Sequence, residues 1–467
     1  MAASAAVWLY LPTLEAPLVF DDHALIAAQG PVALGSGVLP YRPFRHLSYL
    51  VDHRLGGGSA RAYHRTNVAL HAGVSVMVVV IAAELGAPAI LAGAAGGIMA
   101  LHPLGVEAAA YVAGRRDLLA TFSLLVALVL WLRGSFWAAA CCVGLAVASK
   151  ESGILGIVWV GAMSLAGVAP LRIRIWQFFV GGLAAVALVV AYGGQGPWWP
   201  TGGSAGLALI GRTAGHYAAG LAGWTSRALE HPWLIEFQAN AMVAAPVVWQ
   251  AVGLGVFVVT GLVAGVVAVE TRRNGRCSPL AAISLAIGFT VLLVAAYGGL
   301  HEPGSDRHAY PLLALVSVGI AVGLHRFCGA DHVPQLVTAA AVALVVGSML
   351  HTTIERRNDW GDPVRLWREA WRAAPSSERA ALNYASVLAA NGRSRAARRI
   401  LERGMVLRVD DADLQYALAA LHCANQRPRR ARVAMDAAWR SGADPVALHD
   451  LVRLCPLLKE SADAQGA

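Results

Sequence analysis

The stretch His102-Pro103-Leu104-Gly105-Val106-Glu107, continuing into Gly114-Arg115-Arg116-Asp117 and the apolar run 118–132, decides how the chain is read. A polar, charged motif stands directly against a run apolar enough for a membrane helix, so the loop reads as a membrane boundary. The rest of the chain agrees. Of 467 residues, 57% are hydrophobic and only 14% charged, with mean hydropathy +0.56; a soluble chain carries nearer ~25% charged residues. Apolar runs recur at about 66–84, 87–104, 118–132, 136–149, 152–168, 175–193, 245–268, 279–298, 309–325 and 335–351. The first apolar stretch, Ala2 to Leu11, is shorter than the ~20 residues a span needs. It has no basic n-region, so it does not read as a signal peptide. The predicted fold class is all-α, a polytopic membrane helix bundle of about eleven spans, the first one short.

The net charge of +9 does not point to nucleic acid, because the basic residues are scattered between apolar runs rather than gathered on one face. Membrane orientation and anionic lipid explain them better. Lysine occurs only at Lys150 and Lys459, which singles out the lysine at a membrane boundary. The six cysteines show no C-x-x-C spacing, which speaks against a zinc site or a dense disulfide framework. Cys423 and Cys455 pair only if the C-terminal region is exported, and spacing alone leaves that open.

If the N-terminus is cytoplasmic, alternate connections carry Arg133, then Arg172 and Arg174, then Arg272, Arg273 and Arg276, then Arg326, as the positive-inside rule requires. The opposite face then receives Asp21-Asp22, the 102–117 loop, Lys150, the loop 194–244, Arg307 and the C-terminus. Within that long loop Leu209, Ile210, Tyr217, Leu221 and Trp224 recur at helical spacing around Arg212 and His216, as in an amphipathic helix lying in the interface. Trp198 and Trp199 suit the headgroup level.

After residue 352 the composition turns to Ala, Arg, Glu and Asp. Ala385 matches Ala419, Asn391 matches Asn425 and Ala397 matches Ala431, an offset of 34 that is the period of tetratricopeptide (TPR) helix pairs. Leu366 and Trp367 read as half of a preceding repeat, and Pro445 to Leu454 as a capping helix. Such repeats bind an extended peptide or a partner; a plain helical cap on the membrane domain is the alternative. The predicted division is 1–352, a catalytic membrane domain with external loops 13–65 and 194–244, then 353–460, the repeats, and 461–467, a disordered tail.

Leu18-Val19-Phe20-Asp21-Asp22-His23 puts two carboxylates near a membrane boundary, where ionised groups are costly and functional by default. Asp22 as N-cap of a helix from His23 to Gln29, stopped at Gly30, explains one of them and leaves Asp21 without a role. Beside this pair stand Tyr41-Arg42-Pro43-Phe44, the His102 to Asp117 motif, Ser149-Lys150-Glu151-Ser152 and Asp306-Arg307 with Tyr310-Pro311. Each has a bland reading: Arg116-Asp117 as a structural ion pair at a helix start, Lys150 snorkelling at a helix end, single histidines packed in a core. Together they read as an acidic centre ringed by cations at the mouth of a bundle. Arginine and lysine suit a phosphate, and a carboxylate suits general-base work on a hydroxyl.

In order, F-D-D-x-x-L-I, Y-R-P-F, Y-H-x-x-N-x-x-L-H, H-P-x-x-x-E-x-x-x-x-x-x-G-R-R-D-L-L, S-K-E-S, D-R-x-x-Y-P and the repeats resemble the transmembrane-and-TPR (TMTC) protein O-mannosyltransferases of the GT-C superfamily. The resemblance covers nearly the whole chain. It implies Asp21 as catalytic base, with Asp22 beside it and Asp117 as the second acidic position. Arg42, Arg116, Lys150 and Arg307 would hold the lipid phosphate. His102, Glu107 and Tyr310 match the motifs and join the substrate-binding set without a firm role. The implied reaction is inverting transfer of a hexose, mannose by the resemblance, from a polyprenyl-phosphate sugar to an acceptor hydroxyl, Ser/Thr of an exported protein. The implied partners are that donor, a protein or glycan acceptor, the bilayer and a protein bound by the repeats. The setting would be a bacterial-type inner or plasma membrane with loops and repeats outside. No metal site is expected and no cofactor is required, since the leaving group is already a phosphate monoester; a divalent cation held by Asp22 or Glu107 stays open. The rival class is a non-catalytic membrane scaffold presenting the repeats. A transporter fits worse, because no charge sits convincingly mid-helix.

Overall fold

The computed structural model describes residues 1–27, 42–165, 203–222, 247–274, 278–301, 305–328, 332–408 and 411–455. The run 175–193, Trp198, Trp199, Trp224, the arginines at 172, 174 and 276, Gly30 and the tail 461–467 lie outside them. The described residues are helical without strands. They form two compact units, one running to Gly361 and one beginning at Asp362, beyond the change in composition at residue 352.

The first unit is a membrane helix bundle. It begins with a short helix, α1 (Ala2–Tyr10), followed by α2 (Asp21–Ala27), α3 (Pro43–Gly56) and the long α4 (Ala60–Glu84). Next come α5 (Ala89–Leu101), α6 (Val106–Ala110), α7 (Arg115–Leu132), α8 (Phe136–Ser149), α9 (Leu155–Leu165) and α10 (Gly203–Leu221). The last are α11 (Val247–Asn274), α12 (Pro279–His301), α13 (Tyr310–Cys328) and α14 (His332–Trp360). Among the described residues three helical stretches are long and apolar enough to cross a membrane, or four if the bent pair at Ala89–Leu101 and Pro103–Ala110 is one span. The others, such as Phe136–Ser149 and Pro279–Val294, are shorter apolar helices. The core packs Val78 and Ile81 of α4, Leu125 and Leu128 of α7, Trp159 of α9 and Leu313 of α13. Outward, α11 and α14 expose Val258, Leu262, Val266, Val337 and Leu344. That surface suits lipid, while the backbone is satisfied inside the helices.

The motif from His102 to Asp117 folds as an elbow, for local reasons. Pro103 lacks an N–H and restricts the residue before it; His102 accordingly leaves the helix at ψ 135°. The chain bends by 52°, and the His102 Nδ1 accepts the Leu104 N–H at 3.2 Å, capping the next turn. A second break at Tyr111 and a turn over Val112–Gly114 return the chain into α7. A Cβ on Gly114 would lie 2.6 Å from the Ala108 carbonyl oxygen and 2.9 Å from that of Glu107. Only glycine allows so close a return, which brings Asp117 back beside the Glu107 end of the elbow.

Polarity separates the two ends of this unit. Glu84 and Arg133, at the C-terminal ends of α4 and α7, pair at 2.6 Å in an exposed setting. The N-terminal ends of α4, α7 and α13 and the C-terminal ends of α5 and α8 carry the motif residues.

In the second unit, α15 (Pro363–Ala373), α16 (Glu378–Ala390), α17 (Ser394–Leu407), α18 (Ala412–Ala424), α19 (Pro428–Arg440) and α20 (Pro445–Leu454) follow in order. The 34-residue offset recurs in the caps. Ser377 accepts from Ala380 N at 3.2 Å and Asp411 from Leu414 N at 3.0 Å. Asn391 and Asn425 each donate their amide to the carbonyl four residues back. Such caps stabilise a helix by ~1 kcal/mol each. The matched alanines 385 and 419, and 397 and 431, are buried where helices meet. Cys423 and Cys455 form a disulfide, Cα–Cα 6.1 Å.

Candidate functional site

Phe20 has φ +50°, a left-handed conformation rare for non-glycine residues. It turns the chain so that Asp22 points inward and Asp21 stays half-exposed. The Asp22 carboxylate accepts from Val19 N at 3.1 Å and Ala113 N at 2.8 Å. It is therefore not the N-cap of the following helix: α2 already begins at Asp21, and Asp22 fastens this turn to the elbow. Burial pushes its carboxyl up to about 7, against those N–H bonds. Asp21 makes no ion pair or side-chain hydrogen bond among the described residues.

Asp117 collects cations. It pairs with Lys150, lies 3.7 Å from the Arg116 Nε and 4.0 Å from the Arg307 Nε. Arg307 also donates to Glu107, from its guanidinium and from its backbone N–H at 3.2 Å. Two buried carboxylates thus face three cations. Lys150 does not snorkel: it is buried to 1% exposure, and burial lowers its ammonium while Asp117 opposes the shift. Arg42, itself left-handed at φ +61°, donates twice to Glu151, at 2.9 and 2.6 Å. This is the forked geometry that arginine alone provides. Nearby, burial and then the like charges of Arg42 and Arg116 pull the Arg45 guanidinium down to about 10, with Tyr49 opposing.

Two residues that sequence reasoning left out belong here. Tyr111 stacks on Trp360 with ring centroids 4.9 Å apart, and the Arg307 guanidinium lies 5.7 Å from its ring centroid. Asp21, Asp22, Arg307 and Arg116 all act electrostatically on its hydroxyl, which is buried and has no hydrogen-bond partner among the described residues. Its signal was its place in the motif, a lone aromatic between Glu107 and Asp117. Arg356 pairs with Asp306, which also meets His216 Nε2 at 3.1 Å. The helix expected to lie in the interface is thus tied into the bundle at His216. Nothing in the local sequence marks Arg356.

Other motif residues hold the scaffold. Arg115 is fully buried against Asp52 at 2.6 Å, Asn67 at 2.9 Å and the Tyr63 carbonyl at 2.6 Å, with its guanidinium over the Tyr49 ring. His102 joins its Nε2 to the Leu221 carbonyl at 3.1 Å. Tyr310 is buried with its hydroxyl 2.6 Å from His71 Nδ1, although it acts electrostatically with Asp117. The structure therefore brings Asp21, Asp22, Glu107, Arg116, Asp117, Lys150 and Arg307 to one end of the unit, with Arg42 held there by Glu151, the residue after Lys150. Both oxygens of Asp22 and of Glu107 are engaged by N–H donors. Among the described residues no three His, Cys, Asp or Glu are grouped to hold a metal.

No family model matches the chain, and no solved structure matches it. Among curated proteins it is similar to the protein O-mannosyl-transferase Tmtc2 of Drosophila melanogaster, 34% identical over 157 residues, which is 29% of this chain and 16% of that protein. It is 27% identical over 185 residues to human TMTC2, covering 33% of this chain and 22% of the relative. To Drosophila Tmtc1 it is 32% identical over 138 residues, covering 25% and 16%. The aligned stretches span about a fifth of the length of these relatives or less. The chain is thus an all-α membrane helix bundle with a helical-repeat unit, and it resembles the TMTC protein O-mannosyltransferases.

Proposed function

We propose that the chain is an integral-membrane, inverting glycosyltransferase that moves a hexose, mannose by its relatives' names, from a polyprenyl-phosphate sugar to a Ser or Thr hydroxyl of an exported protein. The observation that carries the reading is the gathering of three cations, Lys150, Arg307 and Arg116, around Asp117, at the same end of the bundle as the unengaged carboxylate of Asp21. Asp21 takes the proton of the acceptor hydroxyl. The oxygen attacks the anomeric carbon from the face opposite the phosphate, the sugar–phosphate C–O bond breaks, and the phosphate leaves with the electron pair. Its charge grows as that bond lengthens. Arg307 and Lys150, both buried, and the half-buried Arg116 stabilise it, already held in place and so needing little reorganisation. Arg42 contributes through the fork fixed by Glu151.

The test is transfer from a polyprenyl-phosphate sugar by purified, lipid-reconstituted protein. Asp21→Asn is expected to lower turnover on the order of 10²–10⁴-fold, the range of general-base catalysis, with the fold intact. Normal turnover in a correctly inserted Asp21→Asn variant would remove the base assignment. A wild-type protein inactive with every polyprenyl-phosphate sugar, yet pulling down exported proteins, would favour the scaffold.

A further inference from the structure

The second unit carries a pocket that the transfer reaction does not use. It has a volume of about 340 Å³ and is lined by Arg395, Arg398 and Arg399 of α17, His422 and Asn425 of α18, and Arg427 just before α19. Arg398 reaches Glu402 at 3.6 Å. Arg395, Arg399 and Arg427 are exposed and make no ion pair among the described residues. Like charges held this close repel one another, and the field is read by His422. Burial first, then Arg430, Arg398 and Arg427, hold its imidazole below the usual histidine range, with Glu402 opposing. The basic register repeats: Arg393, Arg395 and Arg398 are followed by arginines at 427, 429 and 432, the same 34-residue offset as the caps. An arrangement that concentrates positive charge over a concave surface and neutralises only one of four arginines selects an anion.

The remaining lining narrows the class of anion. Asn425 gives one of its two amide N–H groups to the Leu421 carbonyl at 2.7 Å, and its side-chain oxygen faces the pocket as an acceptor. A fully ionised phosphate or carboxylate has no N–H to offer that oxygen; a peptide backbone has. The helix places Arg395 and Arg399 one turn apart, with Cβ atoms ~5–6 Å apart. Side chains on one face of an extended peptide are ~6.6 Å apart, so two carboxylates two residues apart match two arginines one helical turn apart. Leu421 supplies an apolar patch for the side-chain stems. We propose that this pocket binds an acidic, extended segment of a partner protein, the arginines pairing with its carboxylates and Asn425 accepting a backbone N–H.

The test uses the full chain in nanodiscs of uncharged lipid at about 0.15 M ionic strength, where exposed charges beyond ~8 Å are screened. A fluorescent octaglutamate peptide is titrated beside octaglutamine, inorganic triphosphate and, separately, vesicles of anionic phospholipid. Octaglutamate is expected to bind and octaglutamine not. Arg395→Glu combined with Arg427→Glu is expected to weaken octaglutamate binding by about tenfold or more, the scale of losing charge complementarity at a binding surface. Asn425→Ala removes the acceptor that only the peptide uses and should weaken the peptide more than triphosphate. Arg440→Glu, an exposed arginine outside the pocket, changes the charge without touching the lining and should alter affinity less than threefold. Because all these side chains are exposed, the variants report binding rather than folding, and unchanged helicity verifies it. Equal losses from Arg440→Glu and the pocket pair would overturn the proposal, as would octaglutamine binding as well as octaglutamate. So would pocket-dependent capture of triphosphate or anionic vesicles in place of the peptide.

Discussion

Asp21 and Asp22 are neighbours in sequence whose environments the left-handed turn at Phe20 pulls apart. A residue held in that conformation costs ~1–3 kcal/mol and persists only when its surroundings fix it; the two N–H bonds from Val19 and Ala113 to Asp22 do so here. Burial raises the Asp22 carboxyl to about 7, against ~3.9 when unfolded. Between those values the native turn holds the proton that the opened chain releases. The contribution of Asp22 to local stability is therefore full below about pH 4, declines as pH rises toward 7, and is flat above. Hydrogen exchange at the Ala113 amide, corrected for the intrinsic rate, should lose protection across that window, and Asp22→Asn should abolish the slope; protection that grows with pH would contradict the assignment. Tyr111 offers a second residue-scale test. Its buried hydroxyl lacks a hydrogen-bond partner among the described residues, so Tyr111→Phe should leave stability unchanged or slightly higher. If that hydroxyl meets the donor phosphate, transfer should still fall by about tenfold, the rate equivalent of one ~1.4 kcal/mol interaction. Unchanged transfer would make the tyrosine a packing residue on Trp360.

The elbow from His102 to Asp117 divides labour between two adjacent arginines. Arg115 faces inward to Asp52, Asn67 and Tyr63, and Arg116 faces Asp117 in the cation cluster. Removing one partner of a buried pair leaves an uncompensated charge and costs ~3–5 kcal/mol. Arg115→Ala should therefore lower the yield of folded protein, measured by gel-filtration profile and thermal stability in detergent. Arg116→Ala should fold and lose transfer, seen chiefly as weaker donor binding. If the two variants behave alike, this division is wrong. Gly114→Ala belongs to the same element: with backbone oxygens 2.6 and 2.9 Å from a Cβ, it should displace Asp117 and mimic loss of the cluster. Proline and glycine restrict or free the backbone locally, which is how Pro103 and Gly114 shape the elbow, although the apolar run 87–104 reads straight through Pro103. The elbow's partners were not legible in the sequence. Arg42 meets Glu151 across 109 residues and Glu107 meets Arg307 across 200, and nothing in a local pattern says which carboxylate a given arginine will find. Glu151 was visible in Ser149-Lys150-Glu151-Ser152 yet unassigned for that reason, and adjacent Asp306 and Arg307 turn out to serve different partners. Asp22 as a cap failed because the local rule considered only its own helix, whereas a carboxylate is equally satisfied by the N–H groups of an elbow 91 residues away.

Across the molecule, one physical requirement separates the two units. The membrane unit satisfies its polar groups with buried ion pairs at one end and presents apolar helices elsewhere. The repeat unit relies on small buried alanines, repeated caps and one cross-link. The disulfide between Cys423 and Cys455 closes 32 residues around α19 and α20, and in the chain-entropy view a loop of that size stabilises by ~3–4 kcal/mol. Disulfides persist in oxidising compartments and are reduced in the cytosol. The cross-link therefore bears on the proposed topology independently of any catalytic residue. If the repeat unit lies outside the membrane, as the arrangement of arginine-rich connections suggests, cells expressing a variant with Cys141, Cys142, Cys277 and Cys328 replaced by serine should yield protein whose two remaining thiols resist a maleimide polymer until reductant is added. Adding Cys423→Ser should expose Cys455 to the reagent without reductant in unfolded samples. The same substitution should lower the midpoint for unfolding of α18 to α20, followed by exchange protection in that unit, while leaving sugar transfer per folded molecule in a short assay close to normal. Two thiols that label without reductant would place the repeats on the reducing side. The one-face gathering of Asp21, Asp117, Lys150 and Arg307 would remain a fact of the fold, but its assignment to the external face would be lost, and with it the exported protein as acceptor.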